Sequence, residues 1–113
     1  MLYSWEVTKK EFIIPLSGDN QCRVVFLNEK GLVLGFTVQQ EALIEEEWQP
    51  ILRYDTTHGF IHRDVIHPDG TLQKQLLHFP RYNEALSAAI ADVKLKHRFY
   101  RGRYEQWLRK HQQ

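Results

Sequence analysis

Three features of the sequence predict an α+β fold, an antiparallel β-meander of five to six strands packed on one long C-terminal amphipathic helix. Short β-branched and aromatic runs recur through residues 1–80, separated by clusters of turn formers. After Pro80 the apolar period changes from two to between three and four. The length, 113 residues, is the commonest domain size and is enough to bury one ordinary core. The chain therefore reads as a single domain over 1–113, mostly β to residue 80 and a long basic helix over 81–113.

Trp5 to Leu16 is the first expected strand, and it stops at Ser17-Gly18-Asp19-Asn20, whose side chains or missing Cβ suit a tight reversal. Gln21 to Leu27 is the second, closed by a four-residue hairpin loop, Asn28 to Gly31. A third run starts at Leu32 and reads as strand to about Val38. Beyond it, QQEALIEEE has the composition of a short helix, and its state is left open. Trp48 to Asp55, Phe60 to His67 and Thr71 to Leu77 follow as strands. They are separated by Thr56-Thr57-His58-Gly59 and by Pro68-Asp69-Gly70, where Pro pre-sets φ and Gly accepts a positive one. Leu86, Ile90, Val93, His97, Tyr100, Tyr104 and Trp107/Leu108 fall on one stripe of a helix. That helix is expected from an N-cap at Asn83 to about Lys110. Gly102, about 1 kcal/mol worse than Ala inside a helix, marks the place for a break.

Composition narrows the function classes. With 42% hydrophobic and 26% charged residues the chain is neither disordered-like nor membrane-like, and its longest apolar runs fall far short of a spanning helix. The opening MLYSWEVTKKEF places charges where a secretory leader needs its apolar stretch, so none is expected. A lone Cys22 can form neither an intramolecular disulfide nor a thiolate cluster, which fits a reducing cytoplasmic setting. Glycine-rich nucleotide loops, GxSxG and HExxH are absent from the sequence, and no cofactor is expected. The net charge of +1 hides a split: residues 1–80 carry seven Lys/Arg against eleven Asp/Glu, whereas residues 81–113 carry eight against three. A basic end of this kind points to an anionic partner or to charge pairing within or between chains.

The densest polar segment is RYDTTHGFIHRDVIHPDG, Arg53 to Gly70. A reversal at Thr56–Gly59 with Asp55 opposite Phe60 sets Arg53 across from His62 and Ile51 across from Asp64. If His67 and Thr71 flank the next turn, Asp64 lies opposite Lys74, Ile66 opposite Leu72 and His62 opposite Leu76. One face then carries Arg53, Asp55, His62, Asp64 and Lys74. The other carries Leu52, Tyr54, Ile61 and Val65, with Arg63 and His67 toward its edges, and is the face expected to pack on the core. A slip of one residue would exchange the two.

An imidazole beside a carboxylate and a guanidinium has the parts that metal-free RNA cleavage needs: a base for the 2′-hydroxyl, a cation for the phosphorane charge and an acid for the leaving oxygen. His62 is the candidate base or acid, with His58 or His67 as its complement and Asp64 to orient it. Arg53, Arg63 and Lys74 are the candidate phosphate clamps. Two other readings stay open: ordinary cross-strand charge pairs on a half-exposed sheet, and a metal site built from His58, His62 and His67 with Asp55 or Asp64. The spacing H-x3-H-x4-H matches no standard ligand pair, so no metal site is assigned. His78 reads as a strand-end residue and His97 as a satisfied core or boundary histidine. The segment KLKHRFYRGRYEQWLRK interleaves basic and aromatic residues. Phe99, Tyr100, Tyr104 and Trp107 read first as a packing stripe, and Lys94, Arg98, Arg101 and Arg109 as a solvated or phosphate-facing one. Glu45, Glu46 and Glu47 form an acidic run that can meet this helix in the same or a second chain.

Through RYDTTHGFIHRDVIHPDG and the following NEALSAAIADVKLKHRFYRGRYEQW, the chain resembles a family of small bacterial proteins, common in cyanobacteria, that share an RYD-x-x-HGF-x-HRD core. The resemblance covers roughly residues 48–107 and carries no settled activity. More distantly, Arg-Tyr-Asp followed by a His-rich stretch is similar to TumE-type toxins of toxin–antitoxin pairs, with Arg53, Tyr54 and Asp55 matching both patterns. That likeness implies action on RNA and silencing by a helix-turn-helix protein partner. The leading expectation is a toxin–antitoxin or defence-type protein that binds RNA and acts as a ribonuclease by His/Arg acid–base chemistry. The alternative is a non-catalytic module that dimerises or holds a partner through the basic helix and the open sheet face.

Overall fold

The computed structural model describes residues 6–111. It is a six-stranded antiparallel sheet in strict sequence order, with one long helix across one face, the α+β architecture that the change of period predicts. The strands are β1 (Thr8–Ser17), β2 (Asn20–Glu29), β3 (Leu32–Ile44), β4 (Glu47–Asp55), β5 (Ile61–Ile66) and β6 (Leu72–Leu77), and the helix is α1 (Tyr82–His111). The expected start of the first strand at Trp5 lies outside the described residues. Pro15, which donates nothing to a ladder, is tolerated because β1 is an edge strand.

The segment QQEALIEEE, whose state the sequence leaves open beyond Val38, is strand as far as Ile44. β3 runs unbroken to Ile44 because it pairs with β2 on one side and β4 on the other, and that double pairing overrides a helix-forming composition. The chain then reverses through Glu45 and Glu46, both left-handed with φ of 50° and 71°. The hairpin between β2 and β3 is tighter than four residues. Lys30 and Gly31, at φ of 49° and 82°, form a two-residue turn of the kind whose twist matches the strands.

α1 packs mainly on β3, with β4 and β2 on either side. Val24, Val38 and Leu52 of the sheet meet Ala85, Ala89 and Val93 of the helix, and the two alanines let the backbones approach. Gln40, fully buried on the same side, donates from Nε2 to the carbonyl of His97 at 2.9 Å. His97 is itself buried, its Nδ1 3.0 Å from the Lys94 carbonyl. Asn83 lies inside the first turn of α1 and is no N-cap. Its Oδ1 accepts from the Val33 amide at 3.0 Å and its Nδ2 donates to the Gly31 carbonyl at 2.8 Å, tying the helix start to the β2–β3 hairpin. Helical geometry continues through Gly102 without a break.

Candidate nucleic-acid interface

The β5–β6 pairing places Asp64 opposite Lys74, Ile66 opposite Leu72 and His62 opposite Leu76, as the sequence predicts. The β4–β5 pairing differs by two residues: Arg53 faces Asp64, and Asp55 faces His62. The cause is a reversal longer than four residues. It winds through a 3₁₀ turn at Thr57–Gly59, with His58 at φ of 72° and Gly59 at 83°, while Asp55 Oδ1 accepts from the Thr57 amide and hydroxyl. A two-residue shift keeps every side chain on its face. Arg53, Asp55, His62, Asp64 and Lys74 therefore do share the face away from α1.

That shared face does not make an open acid–base site. The side chains of His62 and Asp64 are 4% and 5% exposed, with His62 Nδ1 3.4 Å from Asp64 Oδ1. Among the described residues, neither ring nitrogen of His62 nor Oδ1 of Asp64 has a hydrogen-bond partner. The Phe60 ring stands 5.9 Å from the imidazole, the Lys74 ammonium 3.9 Å from Asp64, and Arg53 donates to Gln39 at 2.8 Å. The other candidate histidines go elsewhere. His58 is exposed in the reversal, and His67 stacks on Trp107 of α1 at 3.9 Å and 19°. Among the described residues, no group of three or more His, Cys, Asp or Glu side chains converges in a way that could hold a metal. Cys22 is no nucleophile either: burial, then the charge of Glu41, pushes its thiol up to about 11.

The opposite face holds the more distinctive chemistry, where β4 and β5 meet α1. Asp92 Oδ2 accepts from the Tyr54 hydroxyl, and both Asp92 oxygens lie 2.8 Å from the Tyr100 hydroxyl. Arg63 donates to the Tyr100 oxygen at 3.3 Å and sits 3.8 Å from Asp92. Burial first, then the bond to Asp92, pushes the Tyr100 phenol up to about 12 and raises that of Tyr54 as well. A second guanidinium approaches the same ring: Arg103 lies 5.3 Å from the Tyr100 centroid, 5.5 Å from Phe99 and 5.2 Å from Trp107. Burial and the neighbouring Arg63 charge hold Arg103 below its ordinary pKa, against an opposing pull from Tyr100. Two like charges are thus held beside one ring, and the Asp92 carboxylate pairs with Arg63, an arrangement that favours an added anion beside Arg103.

Phe99, expected with the packing stripe, is instead 62% exposed, and two cavities open against it. One, of about 390 Å³, is lined by Arg63, Lys96, Phe99, Tyr100 and Arg103. The other, of about 470 Å³, runs along the helix past Arg98, Gly102, Arg103, Glu105, Gln106 and Arg109. Of the basic residues expected on this helix, Lys94 and Arg98 are exposed, but Arg101 is not a free phosphate contact. It donates to the carbonyls of Asp19 and Leu43 at 2.7 and 3.0 Å and pairs with Glu105, pinning α1 to two hairpin ends. Sequence reasoning missed Asp92, Lys96 and Arg103. Asp92 had a signal, as an acid one residue before Val93 on the buried stripe.

A protein-family model described as "Domain of unknown function (DUF7718)" matches residues 7–110. The chain belongs to that family. No curated protein and no solved structure matches the DUF7718 chain. Among its described residues no helix is long and apolar enough to cross a membrane.

Proposed function

We propose that this DUF7718 domain binds single-stranded RNA along the exposed ridge of α1 and holds it without cutting it. The observation that carries this reading is Phe99, an open aromatic ring flanked by two arginine-lined cavities. Arg63, Lys96 and Arg103 on one side and Arg98 and Arg109 on the other neutralise successive phosphates, while a base stacks on the phenyl ring. An open ring needs an unstacked base, which loops and single strands of RNA supply and a duplex does not. Cleavage of the TumE type calls for an imidazole that is both set by a carboxylate and open to solvent; His62 beside Asp64 is sealed, and the exposed His58 forms no such pair among the described residues, which supports binding without cleavage.

The test is fluorescence anisotropy of a labelled oligouridine. With three to five of these cations on phosphates, affinity should fall roughly 20- to 130-fold between about 50 and 200 mM salt. Phe99→Ala should weaken binding by about 1–3 kcal/mol, the usual worth of one stacked base. Lys74→Ala, on the other face, should leave it unchanged, and the oligonucleotide should stay intact. Binding that ignores salt, or that survives Phe99→Ala at full strength, would remove this reading.

A further inference from the structure

The cations of α1 form a track that stops part-way along the helix. From Tyr82 to Val93 the helix carries no Lys or Arg, only the acids Glu84 and Asp92, and every basic residue it has falls between Lys94 and Lys110. Asp92, Lys96, Phe99 and Arg103 follow one another three or four residues apart, so they stand on one side of the helix. A phosphate backbone that follows this row toward the helix start meets Lys96 last and then the Asp92 carboxylate.

Charge is densest where the track stops. Arg63, from β5, and Arg103 hold their guanidinium carbons 5.7 and 5.3 Å from the centre of the same Tyr100 ring, and Lys96 completes the cavity of about 390 Å³ that they share. Three cations therefore face one opening, and Asp92, 3.8 Å from Arg63, offsets one of them. Among the described residues neither Lys96 nor Arg103 has a hydrogen bond or an ion pair, and ring contacts with Phe99, Tyr100 and Trp107 hold Arg103 in place. A phosphodiester within a strand brings one negative charge and two free oxygens. A phosphate that ends a strand brings about 1.5 to 2 negative charges at neutral pH and three acceptor oxygens, which matches the two cations left over. Phe99 and Arg103 line both cavities, so a strand that starts in one continues into the other.

We propose that this cavity is a strand-end site, in which Arg63, Lys96 and Arg103 grip the terminal phosphomonoester of the RNA while the strand leads away past Phe99 toward Arg109. Such a site rests on the single-stranded RNA reading above and adds to it which end of the ridge holds the end of the strand.

The test is fluorescence anisotropy with three internally labelled oligouridines of one length, ending in a 5′-phosphate, in a 3′-phosphate, or in hydroxyls at both ends. One phosphorylated form should bind about tenfold tighter than the hydroxyl form, the low end for one added charge-assisted contact, and which form it is names the end that the cavity takes. Lys96→Ala, at an exposed side chain, should remove most of that advantage, and so should Arg103→Gln. Arg109→Ala, far along the ridge, should weaken all three oligomers and keep their ratio. If the three forms bind native protein equally tightly, the strand-end site is wrong and the RNA reading stands; if none binds, both fall. An advantage that Lys96→Ala and Arg103→Gln leave undiminished would put the terminal phosphate elsewhere and overturn the assignment as well.

Discussion

Replacing Asp92 with Ala is expected to cost the fold about 3 kcal/mol, the low end for breaking a buried charge network by removing one partner. The side chain is 19% exposed and serves three groups: it accepts from the Tyr54 and Tyr100 hydroxyls and pairs with Arg63. Both tyrosines are buried, so the change leaves two phenols without their acceptor and an arginine without its countercharge. For a domain of this length the melting temperature should fall by more than about 10 °C. The same network also predicts an alkaline limb. Because folding raises the phenol pKa values above their unfolded value of about 10, the stabilisation is full below that pH and is lost as pH rises through the folded values, which is about 12 for Tyr100. Asp92→Asn removes the charge that contributes to the shift and should flatten this limb in urea titrations at pH 9 to 11.

Glu41 governs the acid side. Its carboxylate, 8% exposed, accepts from Arg23 at 3.0 and 3.3 Å, from Gln21 at 2.7 Å and from Gln39 at 2.6 Å. Burial alone would raise its pKa; the hydrogen bonds from Arg23, Gln21 and Gln39 outweigh that and hold it below the ordinary glutamate range. A group depressed by folding stabilises above its unfolded pKa, about 4.3, and loses that contribution as pH falls through the folded value. Native stability should therefore drop on acidification below about pH 4. Glu41→Gln should cost about 2 kcal/mol at pH 7, the usual worth of charge-assisted bonds to a buried acceptor, and much less at pH 3. Equal losses at the two pH values would show that the carboxylate charge is not what Arg23, Gln21 and Gln39 hold in place.

The meander and the helix were legible because each rests on local pattern: alternation and turn formers to Leu77, then a stripe of period three to four from Leu86. The face assignment of Arg53, His62 and Asp64 was legible too, since a reversal of either length preserves parity. What local pattern does not encode is the length of that reversal, because a left-handed His58 followed by Gly59 adds residues without any extra glycine or proline to announce them. Pairing from both sides decided that β3 continues to Ile44. Depth misled the reading of His62 and Asp64: residues on the outer face of a sheet were taken as open, and neighbouring side chains seal them. Asp92, Asn83 and Arg101 were illegible for one shared reason. Each bonds to a residue far away in sequence, so neither spacing nor composition near it reports the partner.

Bound as proposed, the RNA strand seats on the α1 ridge and not on the sheet face that carries His62. Amide chemical shifts of the labelled protein, followed while unlabelled oligouridine is added, test it most directly. The predicted result is a set of perturbations at Arg63, Lys96, Phe99, Gly102 and Arg103, with His62, Asp64 and Lys74 unmoved. Perturbations centred on His62 and Asp64, with Phe99 silent, would contradict it.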